Sequence, residues 1–284
     1  MANRPFLDLP AAFRDARDSA AALLPVPYDA TSTWKKGADR GPAALLDAST
    51  QVELYDIETA SEPYRHGIAT LDEVRFDGPP DALADEVQRR TAAILELGQI
   101  PVVLGGEHSV SIGAMRAAAA AFPDVSVLQI DAHADTRESY EGSACNHACV
   151  MARARDLCPI VQVGIRSLDA AELEALDTER VFWAHELDGR GDWIGQAVSL
   201  LSPSVYVTID LDAFDPSLMP ATGTPEPGGM SWRQVTALLA AVAASRRVVG
   251  FDVVELMPQP GDHACDFLAA KLVYRFLAMI LARR

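Results

Sequence analysis

VSVLQIDAHADTR, residues 125–137, decides how the rest of the chain is read. Val125–Ile130 is a mainly apolar run of strand length, the pattern of a strand covered on both faces. It runs directly into Asp131, His133 and Asp135. A spacing of two puts all three side chains on one face if the chain stays extended. Two carboxylates and an imidazole converging at a strand end make a metal site. The competing reading is a polar strand end with a solvated acid cluster. Strict alternation directly after a buried strand argues against it.

Two further stretches repeat the design. In SVYVTIDLDAFDP (204–216), a second apolar strand ends in Asp210 and Asp212, and Asp215-Pro216 starts a turn. In PVVLGGEHSVSIG (101–113), a strand ends at Gly105-Gly106, where the backbone can turn tightly. His108 follows, before a helix that Ser109 is placed to cap. Four carboxylates and a histidine are too much charge to cluster without cations, and His108 is the missing nitrogen ligand. The set His108, Asp131, His133, Asp135, Asp210 and Asp212 suits Mn²⁺, then Fe²⁺, Ni²⁺ or Zn²⁺. Six ligands exceed one open catalytic site but suit two ions that share carboxylates. Paired ions can lower the pKa of a bridging water and supply hydroxide near neutral pH. There is no G-x-S-x-G elbow to supply a serine nucleophile.

Working outward, strands are expected at Ala22–Pro25, Val52–Tyr55, Pro101–Gly105, Val125–Asp131, Ile160–Ile165, Val181–Ala184, Val205–Asp212 and Val248–Glu255. Helices are expected at Pro42–Ser49, Asp81–Leu97, Ser109–Ala121, His147–Leu157, Ala170–Leu176, Trp193–Leu201, Trp232–Ala244 and Ala264–Leu281. This alternation gives a mainly parallel, roughly eight-stranded sheet between two helical layers, an α/β/α sandwich. It also permits a (β/α)-barrel, but the first half is irregular, and residues 59–80 read as a long loop with an extra strand. With no linker or repeat, residues 1–284 are expected to form a single domain. In either fold, ligands bind beyond the carboxyl ends of the strands, where the three motifs sit.

Composition narrows the partners. A formal net charge of −16 over 284 residues disfavours nucleic acid and anionic membrane, and favours cationic ligands or metal ions. No signal peptide is expected from MANRPFLDLPAAF. No run is clean enough to span a bilayer; residues 267–282 are interrupted by Lys271 and Arg275 and read as an amphipathic last helix. The cysteines Cys145, Cys149, Cys158 and Cys265 form no CxxC pair, and reduced thiols in a cytoplasmic protein fit them best.

At this point a resemblance can be stated. GGEHS (105–109), DAHAD (131–135) and DLDAFDPSLMPATGTPEPGG (210–229), with PVPYDATSTWKKGADRGPAAL (25–45) and FDVVELMPQPGDHACDFLAAKLVY (251–274), resemble the ureohydrolases, the family of arginase and agmatinase. The likeness covers nearly the whole chain, and its opening and ending look most like agmatinases. It implies hydrolysis of a guanidinium group to urea, agmatine to putrescine and urea being the first expectation. A guanidino-acid hydrolase or an arginase is the alternative. It implies two manganese ions per subunit and a homo-oligomer, trimer or hexamer. Asp131 and Asp210 would touch both ions, His108 and Asp135 would complete one shell, and His133 and Asp212 the other. Asp135 would also orient the hydroxide. His147 stands where the family has a proton-shuttling histidine, and Glu255 where it has the glutamate that pairs with the guanidinium.

The chemistry agrees with these roles. A fixed carboxylate can hold a guanidinium carbon over the nucleophile, and a histidine can protonate the leaving amine near neutral pH. Arg137 follows DAHADT where a cationic substrate would pass; pointing inward, it would favour a guanidino acid. Glu141 is an alternative holder of a substrate ammonium, and Thr222 and Thr224 are candidate hydrogen-bond partners. Lys35 and Lys36 read as solvated, and Cys145 and Cys149 as small buried hydrophobes. A two-metal phosphoesterase would need basic clamps, for which Arg137 and Arg166 are the nearest residues. A non-catalytic metal scaffold should have lost ligands, and none is missing.

Overall fold

The computed structural model describes residues 4–282. Its strands are β1 (Ala21–Val26), β2 (Ile68–Thr70), β3 (Ile100–Gly105), β4 (Val125–Ile130), β5 (Ile160–Ile165), β6 (Val181–Trp183), β7 (Ser204–Asp210) and β8 (Arg247–Val254). They form one sheet in the order β2-β1-β3-β8-β7-β4-β5-β6, with every pairing parallel. The short strands β2 and β6 close the two edges, so little unpaired backbone is left there.

Alternate residues along each strand feed two separate cores. Ala21 and Leu23 of β1, Leu128 and Ile130 of β4, and Val207 and Ile209 of β7 belong to one. Ala22, Leu24, Val125, Val127 and Tyr206 belong to the other. The first core is covered by α1 (Gly41–Ser49), α5 (Trp193–Ser199), α6 (Trp232–Ser245) and α7 (Ala264–Leu281). The second is covered by α2 (Pro80–Glu96), α3 (Ser111–Ala121) and α4 (Val150–Arg155). Two buried faces explain why the strands read as mainly apolar runs rather than alternating ones. The helix starts follow local chemistry: Ser231 and Gln234 form a reciprocal capping box at α6, and Pro80 opens α2.

The expected sandwich is present, with four local differences. Residues 52–55 are not a strand, since the chain turns there after α1; β2 is the extra strand expected within residues 59–80. Residues 170–176 hold only a short 3₁₀ turn, Ala170–Glu174. Ser109 does not cap the helix: it lies in a 3₁₀ turn, His108–Val110, that leads into α3 and is capped by Glu107, whose carboxylate accepts the Ser109 N–H. The last helix is buried nearly all round instead of amphipathic, because Arg275 is taken inside and paired with Asp56 and Glu58. No helix among the described residues is long and apolar enough to cross a membrane.

The strand order positions the site. The chain lays down β1, β2 and β3 on one side, crosses to β4, β5 and β6, and fills the gap with β7 and β8. The reversal leaves a crevice beyond the carboxyl ends of β3, β8, β7 and β4, where such sheets bind ligands.

Candidate metal centre

Each of those four strands delivers one or more of the expected residues. His108 follows β3, Glu255 follows β8, Asp210 ends β7, and Asp131 follows β4. His108 Nδ1 lies 3.0 Å from Asp135, 3.2 Å from Asp131 and 3.5 Å from Asp210. His133 Nδ1 lies 2.9 Å from Asp212 and 3.7 Å from Asp131. Two clusters result, His108-Asp131-Asp135 and Asp131-His133-Asp212, and Asp131 belongs to both. All six expected side chains therefore meet.

They do not meet by extended alternation. The sheet ends at Ile130, and His133 pairs only as an isolated bridge with Ser167. Asp135 is turned inward by a left-handed backbone, φ 52°. Asp212 sits in a 3₁₀ turn, its N–H donating to the Asp210 carboxylate at 2.8 Å. A left-handed non-glycine residue carries strain that its surroundings must hold. Here the Asp135 carbonyl accepts the Met151 N–H at 2.9 Å, at the start of α4.

Below the clusters runs a row of buried polar side chains that the sequence reading did not single out. Asp252, Thr208, Gln129 and Gln162 lie on the adjacent strands β8, β7, β4 and β5, in direct register. Thr208 Oγ1 donates to Asp252 at 2.7 Å, so its one hydrogen is engaged. It lies 2.8 Å from His108 Nε2 and must accept there, which places the imidazole hydrogen on Nε2. Gln129 donates to Asp131 at 2.7 Å and is itself fixed by Gln162 at 2.6 Å. The available signal was a polar residue two positions before each strand-end aspartate, inside otherwise apolar strands.

The tautomer makes a test of the donor set. With its hydrogen on Nε2, His108 turns a lone pair toward three carboxylates, and Nδ1 is buried with no hydrogen-bond partner. Lone pair against carboxylate in a dry site is repulsive unless a cation stands between them. Protons are one such cation. Burial opposes charging His108, but the adjacent Asp131 and Asp135 carboxylates hold its pKa well above the ordinary value. Burial opposes the charge on His133 too, and the Asp212 carboxylate raises it. Burial and the Asp131 charge push Asp135 up to about 6. Burial and neighbouring carboxylates also raise Asp210. Two divalent ions would replace these protons, and the oxygen-rich donor set with two imidazoles fits them.

Glu255 and His147 face the same cavity, of about 310 Å³. Glu255 is also left-handed, φ 66°, and its Oε1 accepts the His108 N–H at 2.8 Å. Burial, with Glu107 and Asp212 nearby, raises its pKa well above the ordinary carboxylate value. His147 starts a short 3₁₀ turn capped by Asn146. Thr31 Oγ1 accepts its N–H at 3.1 Å and lies 3.1 Å from Nδ1, fixing the ring. Burial, then the charges on His108 and His133, push His147 down to about 4.

The outer wall holds Trp34, Lys35, Arg137, Tyr140, Leu168, Asp169, Glu172 and Thr224. Thr222 is buried and does not line the cavity. Lys36 is not merely solvated: it donates to the Asp29 and Ala30 carbonyls at 2.7 and 2.9 Å, bracing the loop that carries Thr31. Arg166 is engaged by the carbonyls of Gly164, Asp212, Ala213, Phe214 and Glu226, tying the ligand turn to the GTPEPGG loop. That removes it as a phosphate clamp. Cys145 and Cys149 are buried thiols pushed up to about 11 by burial.

The comparisons agree with this geometry. A profile of the arginase family matches residues 19–279. The N(1)-aminopropylagmatine ureohydrolase of Synechocystis is 37% identical over 271 residues, covering 92% of this chain and 89% of its own. The agmatinase of Pyrococcus horikoshii is 32% identical over 277 residues, covering 93% of each. The crystal structure of agmatine ureohydrolase from Thermoplasma volcanium superimposes with a TM-score of 0.86 at 32% identity, covering 96% of this chain and 94% of that one. An eight-stranded parallel sheet, carboxylate–histidine clusters at its switch point and similarity along nearly the whole chain lead to one assignment: the protein belongs to the arginase family and is a ureohydrolase.

Proposed function

We propose that this enzyme hydrolyses a guanidinium whose carbon chain ends in further cationic nitrogen, releasing urea and a polyamine. N(1)-aminopropylagmatine is the first candidate, on the strength of relatives such as that of Synechocystis. Agmatine, the expectation from the sequence motifs and the substrate named for the Pyrococcus relative, is the second. The observation that carries the reading is the pairing of charges on the outer wall. Arg137 lies 3.5 Å from Glu172 and 3.9 Å from Asp169, so it offers little to a substrate carboxylate. Asp169 Oδ2 has only that distant partner and stays available to an ammonium. Lys35, beside the exposed Trp34 ring, is the remaining cation of that wall.

In this reading His108, Asp131, Asp135, His133, Asp212 and Asp210 would hold two Mn²⁺ ions, which would supply an activated water at neutral pH. Glu255 binds the guanidinium. Burial raises its pKa, and a permanently charged guanidinium restores its carboxylate form as the pair closes. Asp135 orients the attacking water. The C–N bond to the chain nitrogen breaks, and that nitrogen takes a proton from His147, so guanidinium and water become urea and an alkylammonium ion. A His147 ring that is neutral at pH 7 can receive a proton from the reaction and pass it on. Residues 1–284 act as a single domain, in a cytoplasmic homo-oligomer.

Urea release from N(1)-aminopropylagmatine, agmatine, arginine and 4-guanidinobutyrate, with Mn²⁺ added, tests the reading. The expected order of kcat/KM places the first two well above the last two. Preference for arginine or guanidinobutyrate would overturn the substrate assignment.

A further inference from the structure

Arg137 lines the cavity, yet three contacts fix it. Its N–H donates to the Ala148 carbonyl at 3.1 Å, one residue beyond His147. Its guanidinium faces Glu172 and Asp169 on one side. On the other it lies 4.5 Å from the centre of the Tyr140 ring. Glu172 is a rigid anchor. It is buried, and accepts the Thr136 N–H and hydroxyl at 2.9 and 3.1 Å and the Asp169 N–H at 2.8 Å.

Tyr140 in turn reaches the reacting end. Tyr140 and Ser143 exchange backbone hydrogen bonds of 2.9 and 3.0 Å across Glu141 and Gly142, at φ 47° and 83°. Two left-handed central residues make a tight hairpin turn that holds the tyrosine at its base. The turn aims the Tyr140 ring edge-to-face at His147, 6.1 Å between centres and 90° between planes. That is a favourable aromatic geometry. Glu172, Arg137, Tyr140 and His147 therefore form one chain of contacts across the outer wall.

We infer that Arg137 is a positioning residue, a strut between Glu172 and Tyr140 that holds Tyr140 against the His147 ring, and not a receptor for a substrate carboxylate. The inference deepens the proposed reaction and rests on His147 as its proton carrier. Once Arg137 loses its charge, Tyr140 loses its brace and with it the ring that faces His147, while the Arg137 backbone bond to Ala148 and the acids that meet a cationic tail remain. Turnover should suffer and substrate affinity should not.

The test is a kinetic split in the Mn²⁺-loaded full-length protein. Arg137→Gln and Tyr140→Ala should each lower kcat by about tenfold, the scale of one cation–π or aromatic contact. KM for the cationic substrate should stay level or fall, and metal content should match the parent. The double variant should be little worse than either single one, because both break the same chain. Arg137→Lys and Tyr140→Phe, which keep the charge and the ring, should recover most of the loss. Independent of activity, amide hydrogen exchange over residues 138–149 should quicken in Arg137→Gln. A raised KM with unchanged kcat, additive losses in the double variant, or unaltered exchange would overturn the strut. If the parent turns over no guanidino compound, the functional reading fails instead, and the exchange result still judges the strut.

Discussion

The two walls of the cavity are built differently. The inner wall is four strand ends side by side; its candidate ligands are buried except for the partly exposed His133, with Thr208 behind His108 and Gln129 behind Asp131. The outer wall is loops: residues 31–35, the 137–147 segment and the turn at Asp169–Glu174, held by ion pairs and ring contacts. Strand ends and the short turns just beyond them fix the first. The second depends on contacts worth about 1 kcal/mol each. The difference suggests a division of labour, with metal and nucleophile held by the sheet, and proton delivery and substrate choice left to the loops.

Substitutions on the two walls should accordingly fail in different ways. The largest effect belongs to the inner wall. Asp210→Asn removes a carboxylate that faces His108, and should cost about 10³-fold or more in kcat together with bound metal. Metal analysis of the purified variant checks this. Next comes His147→Ala, which should keep its metal and lose about 10²–10⁴-fold in kcat. Full activity there would refute the proton-carrier role. Thr208→Val, beneath the inner wall, leaves Asp252 and His108 Nε2 without their shared partner. Metal affinity should weaken by about 10–100-fold, with saturated kcat less affected. Asp169→Asn on the outer wall should raise KM for the cationic substrate by about tenfold and leave metal affinity unchanged. An outer-wall variant that loses metal would break the division.

The smallest effect is on stability against pH. His108 and His133 have raised pKa values in the metal-free fold, as do Asp210 and Glu255. The folded state then binds more protons than the unfolded one above the ordinary values of these groups, so their contribution is lost as pH rises through the folded pKa values. Metal-free protein should melt progressively lower, by a few degrees, as pH rises above about 6.5. Mn²⁺-loaded protein should not follow, because the ions stand in for the protons. Parallel melting curves with and without chelator decide it.

How much of this the sequence carried follows the same division. Asp131, His133, Asp135, Asp210, Asp212 and His108 were legible because each sits on or just past an apolar strand, where position implies a shared crevice. The left-handed turn that brings Asp135 inward was not legible, since no glycine marks it. Gln129, Thr208, Asp252 and Gln162 looked like interruptions of apolar strands; only the register shows them as one row. Val52–Tyr55 has the composition of a strand, but the chain turns there immediately after α1. Tyr140 lies only three residues after Arg137, but the anchor Glu172 lies on a turn 35 residues away, so no local pattern could indicate the strut.

The central claim is that two adjoining clusters sharing Asp131 hold a pair of divalent ions. Anomalous diffraction at the manganese absorption edge, from crystals grown with Mn²⁺, tests it most directly. The account predicts two peaks roughly 3.5–4 Å apart, one beside His108 and one beside His133, with Asp131 near both. A single peak, or peaks away from these side chains, would contradict it.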